Sequence, residues 1–249
     1  MAGTRHTLML RGLHVAIGFL TRLPVPTPPF DDKAAQAASV VWYPLVGALI
    51  GALLCALAWM LQGAPALLSA ALIVTAWVVL TGALHLDGLA DSADAWIGGL
   101  GNRERTLEIM KDPRSGPAGV VALVLMLLLK FAALASLVSA SQVSLLLAPV
   151  LARAGLTALF VAMPYARREG LGSALMQAPR RACSWVLGMT GVLSLCFGLR
   201  GAIAVAAAVL VWFVWRRACL ERLGGFTGDT AGALAEMIEV AVLVALAVR

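Results

Sequence analysis

Charge is what this chain has least of. Of its 249 residues, 13% are Asp, Glu, Lys or Arg, three are His and two are Tyr. Soluble domains carry about 25% charged and about 45–50% apolar residues. Here the apolar share is 61% and the mean hydropathy is +0.92, which excludes an ordinary water-soluble globule. Cysteine is scarce too. Cys55, Cys183, Cys196 and Cys219 form no C-x-x-C pair and show no metal-ligand spacing, so they read as small apolar space-fillers. No basic stripe interleaved with aromatics exists to go with the net charge of +6, so nucleic acid is not an expected partner. The arginines fall between apolar runs, as they do in the cytoplasmic loops of membrane proteins.

Long apolar runs are what the chain does have. Crossing a ~30 Å hydrocarbon core takes about 20 residues. Runs near that length at 38–61, 65–85, 118–138, 143–163, 183–199, 201–215 and 231–248 predict an all-α, polytopic helical membrane bundle of about seven transmembrane helices. The fifth and sixth are short and stay open between two spans and a re-entrant pair. Residues 7–21 are broken by Arg11 and His14 and lack a small-residue cleavage site. They predict an amphipathic helix lying at the interface rather than a cleaved leader, ended by Arg22 and by Pro24, Pro26, Pro28 and Pro29.

The whole chain, 1–249, reads as one membrane-embedded domain, with 1–33 as the interfacial segment and 86–117 as a cytoplasmic Asp-rich loop. Cations mark alternate connections: Arg5, Arg11, Arg22 and Lys33; Arg103, Arg105, Lys111 and Arg114; Arg167, Arg168, Arg180 and Arg181; Arg216, Arg217 and Arg222. Connections 62–64 and 139–142 carry none, the third such connection holds only Arg200, and Arg249 ends the chain. This bias predicts a cytoplasmic N-terminus and a C-terminus outside. Gly47 and Gly51 form a G-x-x-x-G, which suits close helix packing.

The thirteen acids are the informative residues. Asp87, Asp91 and Asp94 follow the second apolar run in the segment His85–Trp96. On a continuing helix, spacings of four and three put them on one face, in a row roughly 10 Å long. Such a row needs a cation, and oxygen donors favour Mg²⁺ or Mn²⁺ over zinc. Two ions ~4 Å apart would fit it and clamp a diphosphate. The plainer reading is a solvated acidic helix end paired to Arg103 or Arg105. Residues 103–112 predict a short amphipathic helix stopped by Pro113, with Lys111, Asp112 and Arg114 at its end, where cations could hold phosphate oxygens. The last span opens on Gly224–Ala233, a glycine-rich helix start that either binds an anion or is simply capped by Thr227 or Asp229. Glu236 and Glu239 lie deeper, where ionisable residues are costly. Lys130 and Arg153 are their candidate ion-pair partners.

Taken together, five segments resemble the adenosylcobinamide-GDP ribazoletransferase (cobalamin 5'-phosphate synthase) family: 19–26, 43–47, 85–94, 108–116 and 225–232. One departure is Ala95, where the family often has Gly. The resemblance implies a Mg²⁺-dependent transferase, with Mn²⁺ as a substitute ion, at the cytoplasmic side of a bacterial inner membrane. It would join adenosylcobinamide-GDP and α-ribazole, or its 5'-phosphate, and release GMP. On that implication Asp87, Asp91 and Asp94 hold metal, and Asp94 or Asp229 takes the proton of the attacking hydroxyl. Arg22, His85, Arg103, Lys111, Asp112, Arg114, Thr227, Asp229, Glu236 and Glu239 contact substrate. Further expected partners are the lipid bilayer and a second copy of the chain or other cobalamin-assembly enzymes.

Three other readings compete. CDP-alcohol phosphotransferases place Ala-Arg shortly after Asp-Gly, whereas Ala90 is followed here by Asp91. UbiA-like prenyltransferases need two separated Asp-rich motifs, and this chain has one row plus Asp229. An ion-coupled transporter would use Glu236, Glu239, Lys130 and Arg153 as a path, but no second copy of a half is evident.

Overall fold

A computed structural model describes residues 2–26, 32–137, 142–167 and 171–248. Pro28, Pro29, Arg168, Arg249 and the 139–141 part of one connection lie outside the described residues, as does the side chain of Arg5. The described chain is helical, with one isolated bridge between Tyr165 and Phe226. Its helices are α1 (Ala2–Leu20), α2 (Lys33–Ser39), α3 (Tyr43–Met60), α4 (Ala66–Thr81), α5 (Leu84–Gly98) and α6 (Arg103–Ile109). They continue as α7 (Pro117–Leu137), α8 (Val143–Ala162), α9 (Leu171–Leu175), α10 (Arg180–Leu195), α11 (Gly198–Leu223) and α12 (Gly228–Ala247). A 3₁₀ turn at Val40–Trp42 joins α2 to α3.

Five stretches are long and apolar enough to cross a membrane: Lys33–Met60, α7, α8, α11 and α12. A sixth span arises only if α4 and α5 are taken together, and those two meet at an angle of 89°. The seven apolar runs therefore give five or six crossings. The 16 residues of α10 reach only about 24 Å at ~1.5 Å per residue, short of the hydrocarbon core. α10 turns into α11 through Gly198 at φ +64°. Of that uncertain pair, α11 has the length of a full span.

α8 and α12 form the centre of the bundle, each 72% buried over its most apolar window. α12 packs against α5, α7, α8 and α11, and α3 lies along α8. The G-x-x-x-G of α3 does what its spacing predicts: a Cβ at Gly51 would stand 2.8 Å from the Leu146 Cα, and one at Gly47 equally close to Val150. α7 and α11 present Val124, Leu128, Leu210 and Phe213 to the outside. With no water in a bilayer core to satisfy backbone groups, such apolar helical surfaces are what lipid selects.

The acidic row does not continue the second apolar run. α4 stops at Thr81, and Gly82 (φ +63°) and Ala83 (φ +57°) both adopt the left-handed conformation. Two such residues in succession turn the chain sharply, and the Arg22 side chain lies across Gly82 where a Cβ would collide. At Ala83 the left-handed conformation costs about 1–2 kcal/mol. α5 therefore runs across the end of the bundle instead of prolonging α4.

Candidate active site

Two helices from distant parts of the chain bring their acids together. Asp87 sits in the first turn of α5 and Asp229 in the first turn of α12. Gly88 permits the approach: a Cβ there would stand 2.7 Å from the Asp229 carbonyl oxygen. At Gly232 a Cβ would stand 3.2 Å from the His85 Cα, so the two helices stay in contact one turn further on. Thr227 caps α12, its hydroxyl accepting from the Thr230 amide at 3.2 Å while the Thr230 hydroxyl accepts from the Thr227 amide at 2.8 Å. That capping box satisfies the helix end. Asp229 is not needed as the cap, although its Oδ2 still accepts from the Thr227 hydroxyl at 3.4 Å.

Arg167 meets the same carboxylate oxygen. It donates to Asp229 Oδ2 at 2.7 Å, held in place by the strand-like pairing of its loop with Phe226. The Phe226 amide donates to Pro164 O at 3.0 Å, and the Ala166 amide to Phe226 O at 2.8 Å. Asp87, Arg167 and Asp229 line a cavity of about 280 Å³, whose other walls include Phe19, Tyr43, Phe160, Tyr165 and Phe226. Sequence reasoning counted Arg167 only as a loop cation. One arginine among many loop arginines carries no signal of which carboxylate it will meet.

Asp91 lies one turn beyond Asp87 on α5. Partial burial raises its pKa to about 6, and Asp87, Asp229 and Asp94 push it the same way, with Arg167 alone opposing. Like charges this close disfavour ionisation unless a cation joins them. Asp94 shares the field but is already engaged. Its Oδ2 accepts from the Gly116 amide at 2.7 Å and its Oδ1 from the Gly119 amide at 2.9 Å. It anchors the start of α7, which an acid at a helix N-terminus does well. Asp94, expected as a base or metal ligand, is thus placed with both oxygens already accepting from the start of α7.

Among the described residues, no three His, Cys, Asp or Glu side chains converge on one point as a ready-made metal cage. The donor set still suits a hard cation of the open kind, because Mg²⁺ is commonly held by one or two carboxylates together with substrate phosphates and water. Asp87 and Asp91, crowded by like charge, offer that pair.

The other expected contacts are placed elsewhere. Glu236 and Glu239 are buried with Lys130, whose Nζ donates to Glu236 Oε2 at 2.8 Å and to Glu239 Oε2 at 2.6 Å. Arg153 pairs with the other Glu239 oxygen, and its second amine nitrogen lies 3.3 Å from His85 Nδ1. Lys130 also sits 4.6 Å above the Trp77 ring. The two glutamates are not in the cavity lining, so their placement fits pairing rather than substrate contact. His85 belongs to both places, since it also borders the cavity.

Arg103 clamps two loops, Nε donating to Leu223 O at 2.8 Å and Nη2 to Ala166 O at 3.2 Å. Arg222 does similar work, donating to Trp96 O at 2.6 Å. Asp112 and Arg114 form a bidentate exposed pair at 2.9 and 2.8 Å, and the guanidinium holds the Asp112 carboxyl down at about 2. Lys111 is exposed beside them, and Arg22 lies across Gly82. None of these six lines the cavity.

A family model described as cobalamin-5-phosphate synthase matches residues 12–247. The chain is 58% identical to the adenosylcobinamide-GDP ribazoletransferase of Pseudomonas paraeruginosa strain PA7, and 57% identical to that of Pseudomonas aeruginosa strain PAO1. Each comparison covers 96% of this chain and 98% of the relative. The Stutzerimonas stutzeri enzyme of the same name is 54% identical, over 95% of this chain and 98% of the relative. No solved structure matches the chain.

Proposed function

The chain belongs to the cobalamin-5-phosphate synthase family, and on that premise we propose how its own residues carry out the family's reaction. The enzyme joins adenosylcobinamide-GDP to α-ribazole, or to α-ribazole 5'-phosphate, in a late step of cobalamin synthesis. The ribazole 3'-hydroxyl attacks the phosphorus nearer cobinamide. The bond from that phosphorus to the GMP oxygen breaks and GMP leaves. The product is adenosylcobalamin or its 5'-phosphate.

The observation that carries the assignment of residues is the meeting of Asp87 and Asp229 around one cavity, with Arg167 paired to Asp229. Asp229 accepts the proton from the attacking hydroxyl, a role suited to a carboxylate that is not spent on capping its helix. Arg167 exchanges Asp229 for a phosphate oxygen when substrate enters, since guanidinium pairs as readily with either anion. Asp87 and Asp91 would hold Mg²⁺, whose charge would offset that of the diphosphate and of the departing GMP. Asp94 keeps α5 fixed against the start of α7, and His85 keeps its first turn fixed against Arg153.

Location follows from charge. The cation-bearing ends of the helices meet at the acid site: Arg22 at Gly82, Arg103 at Leu223, Arg167 at Asp229 and Arg222 at Trp96. In the sequence the alternate connections, 62–64 and 139–142, carry no Lys or Arg. Positive loops face the cytoplasm, and this bias supports a site on the cytoplasmic side of the inner membrane.

Membranes containing the protein, supplied with adenosylcobinamide-GDP, α-ribazole 5'-phosphate and Mg²⁺, should release GMP. EDTA should stop release, and added Mg²⁺ should restore it. Release that persists unchanged in EDTA would remove the metal from this account. Substrate flux across proteoliposomes without GMP would replace the transferase by a transporter.

A further inference from the structure

We propose that the aromatic cavity beside Asp87 and Asp229 seats the benzimidazole base of the acceptor nucleoside, and that the corrinoid does not enter it. The inference rests on the reaction assigned above and adds to it which substrate goes where.

The chain holds seven Phe and two Tyr in all. Both tyrosines and three of the phenylalanines line this one cavity. Their rings form a continuous chain of edge contacts: Tyr43 to Phe160 at 6.3 Å, Phe160 to Phe226 at 5.1 Å and Phe226 to Tyr165 at 5.4 Å, all at interplanar angles of 77–85°. Aromatics in an ordinary core fill space. Here Tyr43, Phe160 and Phe226 are packed into the core behind an open cavity of about 280 Å³ that they border together with Phe19 and Tyr165.

The shape of the chemistry then selects the occupant. The charged groups Asp87, Arg167 and Asp229 are gathered together, by the Arg167–Asp229 pair and by the close approach at Gly88. The remaining walls are mainly aromatic or aliphatic. The ligand this suits is flat and apolar at one end, with hydroxyls or phosphate at the other. α-Ribazole is built that way. Its dimethylated base carries no exocyclic donor or acceptor.

Guanine is the competing flat base in the reaction, but its carbonyl, amino and ring N–H groups need partners when buried. The walls away from the acids supply rings and Leu side chains, with the Tyr43 and Tyr165 hydroxyls as the main polar side-chain groups, fewer partners than guanine needs. A corrin macrocycle with its amide arms is excluded by size, because the hollow sits at the small end of the ~300–1,000 Å³ range for ligand pockets. The corrinoid must therefore present its diphosphate to the acids from outside.

The test uses the full-length protein in detergent and needs no turnover. α-Ribazole titrated calorimetrically should bind saturably and be displaced by 5,6-dimethylbenzimidazole, but not by guanosine or GMP. Phe160→Leu, and separately Leu156→Phe to fill the hollow, should each weaken that binding ~tenfold, a loss of about 1.4 kcal/mol. In the GMP-release assay both should raise KM for α-ribazole and leave KM for adenosylcobinamide-GDP within about twofold. Displacement by guanosine, or parallel rises in the two KM values, would overturn the assignment. Failure of the reaction itself would look different: no GMP from the unaltered protein, while the binding titration still reports the base site.

Discussion

Seven positions separate Asp229 from Glu236 on α12, yet the charges around the two are arranged on opposite terms. Around Glu236 and Glu239 the count is even: two carboxylates, the Lys130 ammonium and the Arg153 guanidinium, all buried and directly paired. Around Asp229 the count is uneven. Asp87, Asp91 and Asp229 share one guanidinium, Arg167. Removing ions from water is tolerable only when they are paired and hydrogen-bonded. The inner cluster meets that condition and ties α7, α8 and α12 together. The outer cluster does not, and its surplus of negative charge is what a divalent ion and a diphosphate complete between them. Balanced charge at membrane depth reads as scaffold, and unbalanced charge at a cavity reads as chemistry. His85 joins the two, touching Arg153 two residues before Asp87.

The sharpest way to break this contrast is to unbalance the inner cluster. Glu239→Ala leaves Lys130 and Arg153 with one carboxylate between them, and should cost about 3–5 kcal/mol of stability. Melting in detergent and the yield of folded protein measure it. Activity per folded molecule should suffer far less than yield. Asp229→Asn should do the reverse. Turnover should fall about 10²–10⁴-fold, the usual loss when a general base is removed, with the melting temperature within a few degrees of the unaltered protein because Thr227 still caps α12. A variant that melts early with kcat intact would make Asp229 a structural residue and erase the distinction.

The ion pairing of the inner cluster was legible in the sequence, although Glu236 and Glu239 were also expected to contact substrate. Two Glu and two cations near the middles of apolar runs have few ways to be satisfied except by each other. The G-x-x-x-G contact, the short helix after Gly101 and the choice of Thr227 or Asp229 as cap were equally local matters. The outer site was half legible. Asp87 and Asp91 stood out because acids are rare here, but spacing along one helix could not show that Asp94 would turn to the amides of Gly116 and Gly119. Nor could it show that the helix would break at Gly82–Ala83, since alanine is seldom left-handed. Arg167 was invisible as a site residue because its role is set by the Tyr165–Phe226 pairing, a contact between segments some sixty residues apart.

The break at Ala83 offers a smaller test, of whether the outer site is held under strain. Ala83→Gly relieves the left-handed penalty of about 1–2 kcal/mol and adds backbone entropy of about 0.5–1 kcal/mol to the unfolded chain. The net should be a gain of roughly 0.5–1 kcal/mol. The melting temperature should rise about 1–4 °C, with GMP release unchanged or lower. A drop in melting temperature would mean that the alanine methyl makes a contact worth more than the strain.

Similar in size, and most specific to charge imbalance, is the effect of Asp91 on stability without divalent ions. Its folded pKa, about 6, lies above the usual carboxylate value of 3.8. The folded protein therefore holds this proton more tightly than the unfolded chain does. Stability falls as pH rises from about 4 to about 6 and stays reduced above that. A two-unit shift corresponds to about 3 kcal/mol, but solvent reaches the half-buried carboxyl and screening leaves roughly 1 kcal/mol. Asp91→Asn, melted in EDTA, should accordingly be more stable than the unaltered protein at pH 7.5 and equal to it near pH 4. The same substitution should abolish GMP release, so that one residue lowers stability while it supports activity. Added Mg²⁺ should close the stability gap at pH 7.5 by supplying the missing positive charge to the unaltered protein alone. If Asn instead lowers the melting temperature at pH 7.5, Asp91 is already neutralised by protein groups, and the outer cluster is as balanced as the inner one.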